Sequence, residues 1–228
     1  MAKQIKPQII IDSGTSYSKV YHLSSHAYEV IPSNRIKELT ADYSVAAATG
    51  HNANRLSGYV VNELIALAKG AESYIKDEDT YTVVDCGSRD IKYISVSQGV
   101  ATMDWNAECG AFCGQIVELL QRHFQCNPNS IQPADRPLSL TCGILGMTRM
   151  FDLIADDCDP DYAFARFMKG LADNVHAFAK KPDVLYISGG LCDNPLFLRS
   201  FDSVQVIPLG RFVLVDGLRM MIGENDSQ

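Results

Sequence analysis

An apolar strand that runs into Asp-x-Gly and turns straight back into a second strand occurs twice in this chain, and that repeat constrains the fold more than any other feature. The first copy is Gln8–Ile11, followed by Asp12-Ser13-Gly14-Thr15-Ser16 and a returning strand over Ser18–Leu23. The second is the β-branched run Tyr81–Val84, which ends at Asp85; Gly87 then permits the tight reversal into Ile91–Val96. A single Asp-x-Gly turn says little, because Asp and Gly populate ordinary turns for local reasons. Two of them, each after an apolar strand, point to a duplicated lobe. Backbone amides of a glycine-containing lip form a concavity for phosphate oxygens, and a carboxylate beside it holds Mg2+ through its waters. Asp12 and Asp85 are therefore candidate metal-phosphate acids, expected to face each other across a cleft. Ser13, Thr15, Ser16 and Ser18 add hydroxyls at the first lip, while Lys19 either neutralises phosphate charge or points into solvent.

Composition removes several classes of function. The 228 residues are 46% hydrophobic and 21% charged, ordinary for a soluble globular chain. A net charge of −7 with scattered Lys and Arg disfavours nucleic acid as a partner. No apolar run approaches the ~20 residues of a bilayer span, and the start, Met1–Lys6, is short and polar, so a cytoplasmic chain with no membrane partner is expected. Seven cysteines in such a compartment are expected to be thiols, with any functional one a ligand or redox group.

Between the hairpins the pattern predicts a strand over Ala27–Ile31, a short helix near Ile36, a strand over Ser44–Ala48 and a loop from Thr49-Gly50 to Asn54. An amphipathic helix is predicted over Leu56–Ser73; its Glu63, facing either solvent or the cleft, is a candidate catalytic acid. The acidic turn Asp77-Glu78-Asp79 reads as a lobe boundary, or as a solvated loop within one domain. The boundary reading divides the chain into lobes 1–80 and 81–228, with the last helix, 215–222, either in the second lobe or packed back on the first. Beyond the second hairpin a strand is predicted to finish at Asp104, with Trp105–Gly110 a turn into a helix over Gly114–Phe124 whose face carries Ile116, Leu119, Leu120 and His123. Then come a loop, a strand-like run Leu138–Thr141, helical spacing through Ile144, Met147, Phe151 and Ile154, and a longer helix over Tyr162–Lys180. Cys109 and Cys142 each stand just before a helix. A buried strand, Val184–Ile187, leads into Ser188-Gly189-Gly190, a turn that lets a flat ligand approach the backbone closely. The chain closes with a strand over Val204–Ile207 and a helix over Val215–Ile222.

These segments fall in a familiar order. Asp12–Lys19 (DSGTSYSK), Thr49-Gly50, Asp85–Lys92 (DCGSRDIK), Asn106–Cys109, Thr141-Cys142 and Ser188–Asn194 (SGGLCDN) resemble the activator ATPases of 2-hydroxyacyl-CoA dehydratases and benzoyl-CoA reductases, over nearly the whole chain. That resemblance implies the acetate and sugar kinase, Hsc70 and actin fold: a two-lobed, ribonuclease H-like α/β architecture with a nucleotide cleft between the lobes. It implies ATP/ADP with Mg2+ at Asp12 and Asp85, the lips Ser13, Gly14, Thr15, Ser16, Lys19, Gly87 and Ser88 on the phosphates, and Gly189, Gly190 and Asn194 at the adenosine. It further implies a homodimer with one [4Fe-4S] cluster held by Cys109 and Cys142 of each chain, and four thiolates per cluster agree with two chains sharing one. A cysteine at a helix N-terminus is suited to an anionic cluster. The chain departs from the family where Ala-Ala-Gly-Thr-Gly follows the first cluster cysteine, having Gly110-Ala111-Phe112-Cys113-Gly114 instead. Cys113 is a neighbour of the cluster, an alternative ligand, or a small buried hydrophobe; Cys86, Cys126, Cys158 and Cys192 read as structural. Arg219, Met220 and Met221 replace the small residues the family prefers in the last helix.

The function expected from the resemblance is ATP-dependent one-electron donation. A ferredoxin- or flavodoxin-type protein supplies the electron, and an iron-sulfur dehydratase or reductase acting on CoA esters accepts it. Two other readings stay open: a small-molecule kinase of the same superfamily, and a cluster-free or zinc-bound nucleotide-binding regulator using Cys109, Cys113, His123 and Cys126.

Overall fold

In the computed structural model, which describes residues 6–56, 58–106 and 114–223, the two hairpins seed two mixed sheets of the same design. The chain divides into two compact units, residues 1–76 with 212–228, and residues 77–211. In the first unit β1 (Gln8–Ser13), β2 (Tyr17–His22) and β3 (Ala27–Pro32) form an antiparallel meander, and β4 (Ser44–Thr49) and then β5 (Tyr59–Val60) add parallel on the other side of β1. The order is β3-β2-β1-β4-β5. Ile9, Ile10 and Ile11 are all fully buried, because β1 is the central strand with both faces covered.

Helix α1 (Ile36–Asp42) follows the meander, and α2 (Glu63–Tyr74) and α7 (Val213–Met221) complete the unit. The second helix is shorter than the apolar pattern predicts. Residues Tyr59–Val60 join the sheet, and the Asn62 side chain accepts the Leu64 N–H at 2.9 Å, so the helix starts only at Glu63. The crossing of α2 and α7 depends on small residues: a Cβ on Gly70 would collide with the Val213 carbonyl, and one on Gly217 with that of Ala66.

The second unit repeats the plan. Its meander is β6 (Thr80–Cys86), β7 (Ile91–Ser97) and β8 (Val100–Asn106), with β9 (Val184–Ser188) and β10 (Gln205–Gly210) parallel to β6. Strand order is β10-β9-β6-β7-β8, the first sheet's order in mirror listing. Strand β8 extends through Asn106, two residues into the predicted turn, because Lys92↔Trp105 and Ile91↔Asn106 continue the ladder. Its core gathers α3 (Gly114–His123), α4 (Gly143–Ala155) and α5 (Pro160–Phe178), with Phe164, Phe167, Leu171 and Val175 of α5 buried as their spacing predicts. A short helix, α6 (Pro195–Arg199), follows the glycine turn.

Two expectations are corrected in this unit. Leu138–Thr141 forms no strand; it lies across the helices, held by the Leu138 N–H on the Arg166 carbonyl at 2.8 Å and by the Asn174 amide on the Leu140 carbonyl at 3.0 Å. Its apolar residues meet helix glycines, with Leu140 packed where a Cβ on Gly146 would stand. The second concerns which helix faces are buried. On α4 these are Gly143, Gly146 and Met150, while Ile144 and Phe151 of the apolar stripe are exposed; on α3 they are Gly114, Val117 and Leu120, with Leu119 outside. Close helix contact draws the glycines inward, while Ile116, Met147 and Ile154 of the predicted stripes still pack on the core from its margin.

Candidate functional site

At the first lip, β1 places Asp12 directly across from Lys19 of β2, and Ser13 across from Ser18. Asp12 is 3% exposed, and its Oδ2 accepts the Lys19 Nζ at 2.7 Å. Lys19 therefore lies against the acid, not in solvent. The loop Gly14–Ser16 is fixed through its carbonyls: those of Ser13 and Ser16 accept the Asn52 and Ser33 N–H groups, and that of Gly14 accepts both the Asn52 amide and the Ser33 hydroxyl at 2.9 Å. With its carbonyls engaged on the protein side, the lip is a rigid turn. Ser13 Oγ is buried without a hydrogen-bond partner. The parallel neighbour β4 sets Thr49 beside Asp12, and Gly50 follows at φ +95°; a Cβ there would stand 2.5 Å from Asp12 Oδ1.

The second lip has the same parts in the same register. Asp85 of β6 pairs across from Lys92 of β7 and, in parallel, beside Ser188 of β9. It is 6% exposed, and its Oδ1 accepts the Ser188 hydroxyl at 2.9 Å. Gly189 follows at φ +91°, where a Cβ would meet Asp85 Oδ1 at 2.9 Å. Each acid thus lies under a left-handed glycine at the end of its parallel neighbour, conformations that only glycine adopts without strain. Lys92, buried, reaches Asp90 Oδ1 at 2.6 Å, within the turn. The Gly87 N–H bonds back to the Asp90 carbonyl at 3.1 Å, closing the turn. Sequence reasoning missed Lys92 as the counterpart of Lys19; the shared offset of seven residues from each acid was its signal.

The second lip also carries the start of α3. Gly114 and Gln115 donate their N–H groups to the carbonyls of Gly87 and Ser88 at 3.1 and 3.0 Å. Beside them opens a cavity of about 220 Å³. One wall is the Gly87-Ser88 turn and α3, the other runs through Gly190, Asp193 and Asn194. Asn194 accepts the Phe197 N–H at 3.0 Å and so caps α6. Asp193 is ion-paired with Arg211. On the α3 wall, burial raises the Glu118 pKa above the usual carboxylate value, against the opposing fields of Arg122 and Arg211. Glu63, half-buried at the first position of α2, belongs to the other unit.

Cys142 is the N-cap of α4: its Sγ accepts the Leu145 N–H at 3.5 Å, and the thiol is only partly buried. Next to it Ile144 and Leu145 are 51% and 48% exposed. Cys109 and Cys113 lie outside the described residues. Cys86, Cys126 and Cys192 are buried in the core of the second unit. Burial pushes the Cys126 and Cys192 thiols up to about 12, and the Cys192 Sγ turns to the Ile187 carbonyl at 2.6 Å. These are packing groups. Among the described residues no three His, Cys, Asp or Glu side chains gather as a metal site.

No family model matches the chain. A curated homologue is the (R)-2-hydroxyglutaryl-CoA dehydratase activating ATPase of Acidaminococcus fermentans, 23% identical over 205 residues, which cover 84% of this chain and 76% of that one. Among solved structures, the activator of the 2-hydroxyisocaproyl-CoA dehydratase from Clostridium difficile with bound ADPNP superposes with a TM-score of 0.74 at 18% identity, over 92% of both chains. Component A of the A. fermentans (R)-2-hydroxyglutaryl-CoA dehydratase gives 0.73 at 19%, over 93% of this chain and 95% of that one. The resemblance drawn from the sequence motifs and the actin-like ATPase fold it implies are both borne out.

Proposed function

We propose that this chain is an ATP-dependent activator that delivers single electrons to a partner dehydratase or reductase of CoA esters. The observation that carries the reading is the repeated lip: a buried aspartate, a cross-strand lysine and a left-handed glycine, present once in each unit of a chain that shares its fold with an activator bound to ADPNP.

In this reading Asp12 and Asp85 orient the waters of Mg2+, and Glu63 assists hydrolysis. Ser13, Gly14, Thr15 and Ser16 on one lip, with Ser88 on the turn that Gly87 shapes in the other, bind phosphate oxygens through amides and hydroxyls, and Lys19 offsets phosphate charge. Gly189, Gly190 and Asn194 lie along the adenosine. Ser13 Oγ, buried and unpartnered, has a donor to give at the first lip.

Cys109 and Cys142 would hold a [4Fe-4S] cluster between two copies of the chain. The fit at Cys142 rests on its N-cap position, where a partly buried Sγ already accepts a helix N–H, and on the exposed Ile144 and Leu145 beside it, an apolar margin that a second copy would cover. Such a cluster supplies a one-electron redox couple at low potential. The chain's own part is mechanical. The second lip holds the first N–H groups of α3, so a shift of Gly87 and Ser88 on nucleotide exchange pulls the helix that follows Cys109 in sequence. ATP supplies the difference in free energy between two states, as any such change requires.

Anaerobic purification followed by iron, sulfide and zinc analysis tests this. The expected protein is brown, dimeric, contains four irons per two chains and hydrolyses MgATP. A colourless protein that takes up no iron on anaerobic reconstitution would sink the electron-transfer reading. Retained zinc would favour a regulator, and phosphoryl transfer to a sugar or acid a kinase.

A further inference from the structure

We infer that the free edge of β8 is a docking site for an extended, basic segment of a partner protein, which joins the second sheet as one further strand. This does not depend on the nucleotide reading above. Among the described residues, three of the four sheet edges are blunted. Strand β5 is two residues long, β10 carries Pro208 with a register shift beside it, and β3 ends at Pro32 with its Tyr28 hydroxyl committed to Asp216 of α7. Such devices keep an edge from pairing with other chains. Strand β8 has none of them: Val100–Asn106 pairs with β7 along its whole length without a bulge, and it contains neither proline nor lysine.

The backbone of this edge suits a partner strand. Gln98 and Gly99, at φ +51° and +77°, form a two-residue turn between Ser97 and Val100. Ser97↔Val100 is therefore a hydrogen-bonded pair, and so is every second pair after it. Val100, Thr102, Asp104 and Asn106 turn their N–H and C=O groups to β7, while Ala101, Met103 and Trp105 turn theirs outward. Those three side chains share one face, where Met103 is exposed and Trp105 is 59% exposed. The covering layers stop one strand short: β7 is buried over Ile91–Ile94, whereas the residues opposite on β8 are exposed or half-buried. Charge selects the occupant. The strand's own charge is Asp104, and the Asp79 carbonyl accepts the Gln98 N–H at 3.1 Å, which sets the acidic turn Asp77–Asp79 beside the hairpin tip. Lys92, across from Trp105, is buried against Asp90. A second copy, with its net charge of −7, meets this edge acid against acid, and a basic strand is attracted to it. In such β-augmentation main-chain hydrogen bonds give affinity, and contacts with side chains such as Met103 and Trp105 give specificity.

Trp105 is the chain's only tryptophan, so the emission of the full-length protein reports on this edge directly. The probes are two synthetic peptides of equal length, one alternating lysine with valine and the other glutamate with valine. Titration with the lysine peptide should move the emission to shorter wavelength and saturate, with an affinity at least about 10-fold above that for the glutamate peptide. The difference should shrink as salt rises from about 0.05 M to about 0.5 M. Met103→Pro removes an outward N–H and leaves the ladder to β7 whole, so the folded variant should lose the shift. Should that variant not fold, Met103→Lys decides, and it should prefer the glutamate peptide. No saturable shift with the lysine peptide, equal affinity for the two peptides, or wild-type binding by Met103→Pro overturns the site. Sedimentation of the wild type without peptide tests the other occupant: self-association that Met103→Pro abolishes overturns the basic partner in favour of a second copy.

Discussion

At the residue scale, the glycines next to the two acids are the sharpest points of constraint. Gly50 and Gly189 both have positive φ and both stand where a Cβ would press on a buried aspartate. Gly190, its neighbour, has ordinary φ and nothing within 4 Å of an added Cβ. Gly189→Ala should therefore cost about 1–3 kcal/mol of stability, through strain and overpacking, while Gly190→Ala should be within about 0.5 kcal/mol of wild type. Urea titrations of the two variants check this, and equal midpoints would contradict the close approach to Asp85. Asp12→Asn removes a charge that pairs with Lys19. If Asp12 holds the waters of Mg2+, MgATP hydrolysis should fall about 10–100-fold, as for other groups that orient a metal's ligands. Hydrolysis at the wild-type rate would remove Asp12 from the site. Strand ends and turns such as these are legible in sequence because a β-branched run, an acid and a glycine act locally. That Gly50 closes over Asp12 depends on the register between β1 and β4, which the residues alone do not state.

Elements were legible to the degree that their signals are local. Every predicted hairpin strand is present, while Leu138–Thr141, β-like in composition, is drawn onto α4 and α5 by backbone partners distant in sequence. The last helix shows the same limit. Arg219 and Asp216 of α7 are both buried, yet the pair is not isolated. Tyr28 of β3 and Tyr74 of α2 both donate to Asp216, the latter at 2.6 Å, and the Arg219 guanidinium lies 4.1 Å from the centre of the Tyr21 ring. Arg219 is accommodated here because a cation-π contact and a shared carboxylate hold it and α7 on the sheet. Desolvation, then the bond to Asp216, raises both tyrosine pKa values. Unfolded tyrosine titrates near pH 10, so the unfolded state gives up its protons first as pH rises. The tyrosines' contribution is complete below about pH 10 and is lost progressively above it. Tyr74→Phe should cost about 1–3 kcal/mol at pH 8, where Asp216 loses a donor, and should flatten the alkaline loss of stability. Denaturant midpoints between pH 8 and 11 give both quantities, and an unchanged alkaline slope would show that Tyr74 titrates as in the unfolded chain.

For the whole molecule, the sidedness of α4 is the informative feature. A helix inside a monomer would bury Ile144 and Leu145; here Gly143 and Gly146 face inward and those two side chains face out, on the first turn of the helix that Cys142 caps. Exposed bulky residues around a partly buried thiol suit an interface between copies, and four-thiolate ligation requires one if each chain gives two cysteines. Two substitutions separate the contributions. Cys142→Ala should abolish iron binding and, with it, the dimer, while nucleotide affinity stays within about 2-fold because the lips and the cavity lie elsewhere in the fold. Leu145→Glu should weaken the dimer through a desolvated charge but leave the thiol in place, so that iron still binds at high protein concentration. Anaerobic sedimentation with iron analysis measures both. A Cys142→Ala protein that keeps its iron would move the ligand to another cysteine, with Cys113 the first to replace in turn; a Leu145→Glu protein that stays fully dimeric would place the interface on a different face of the second unit.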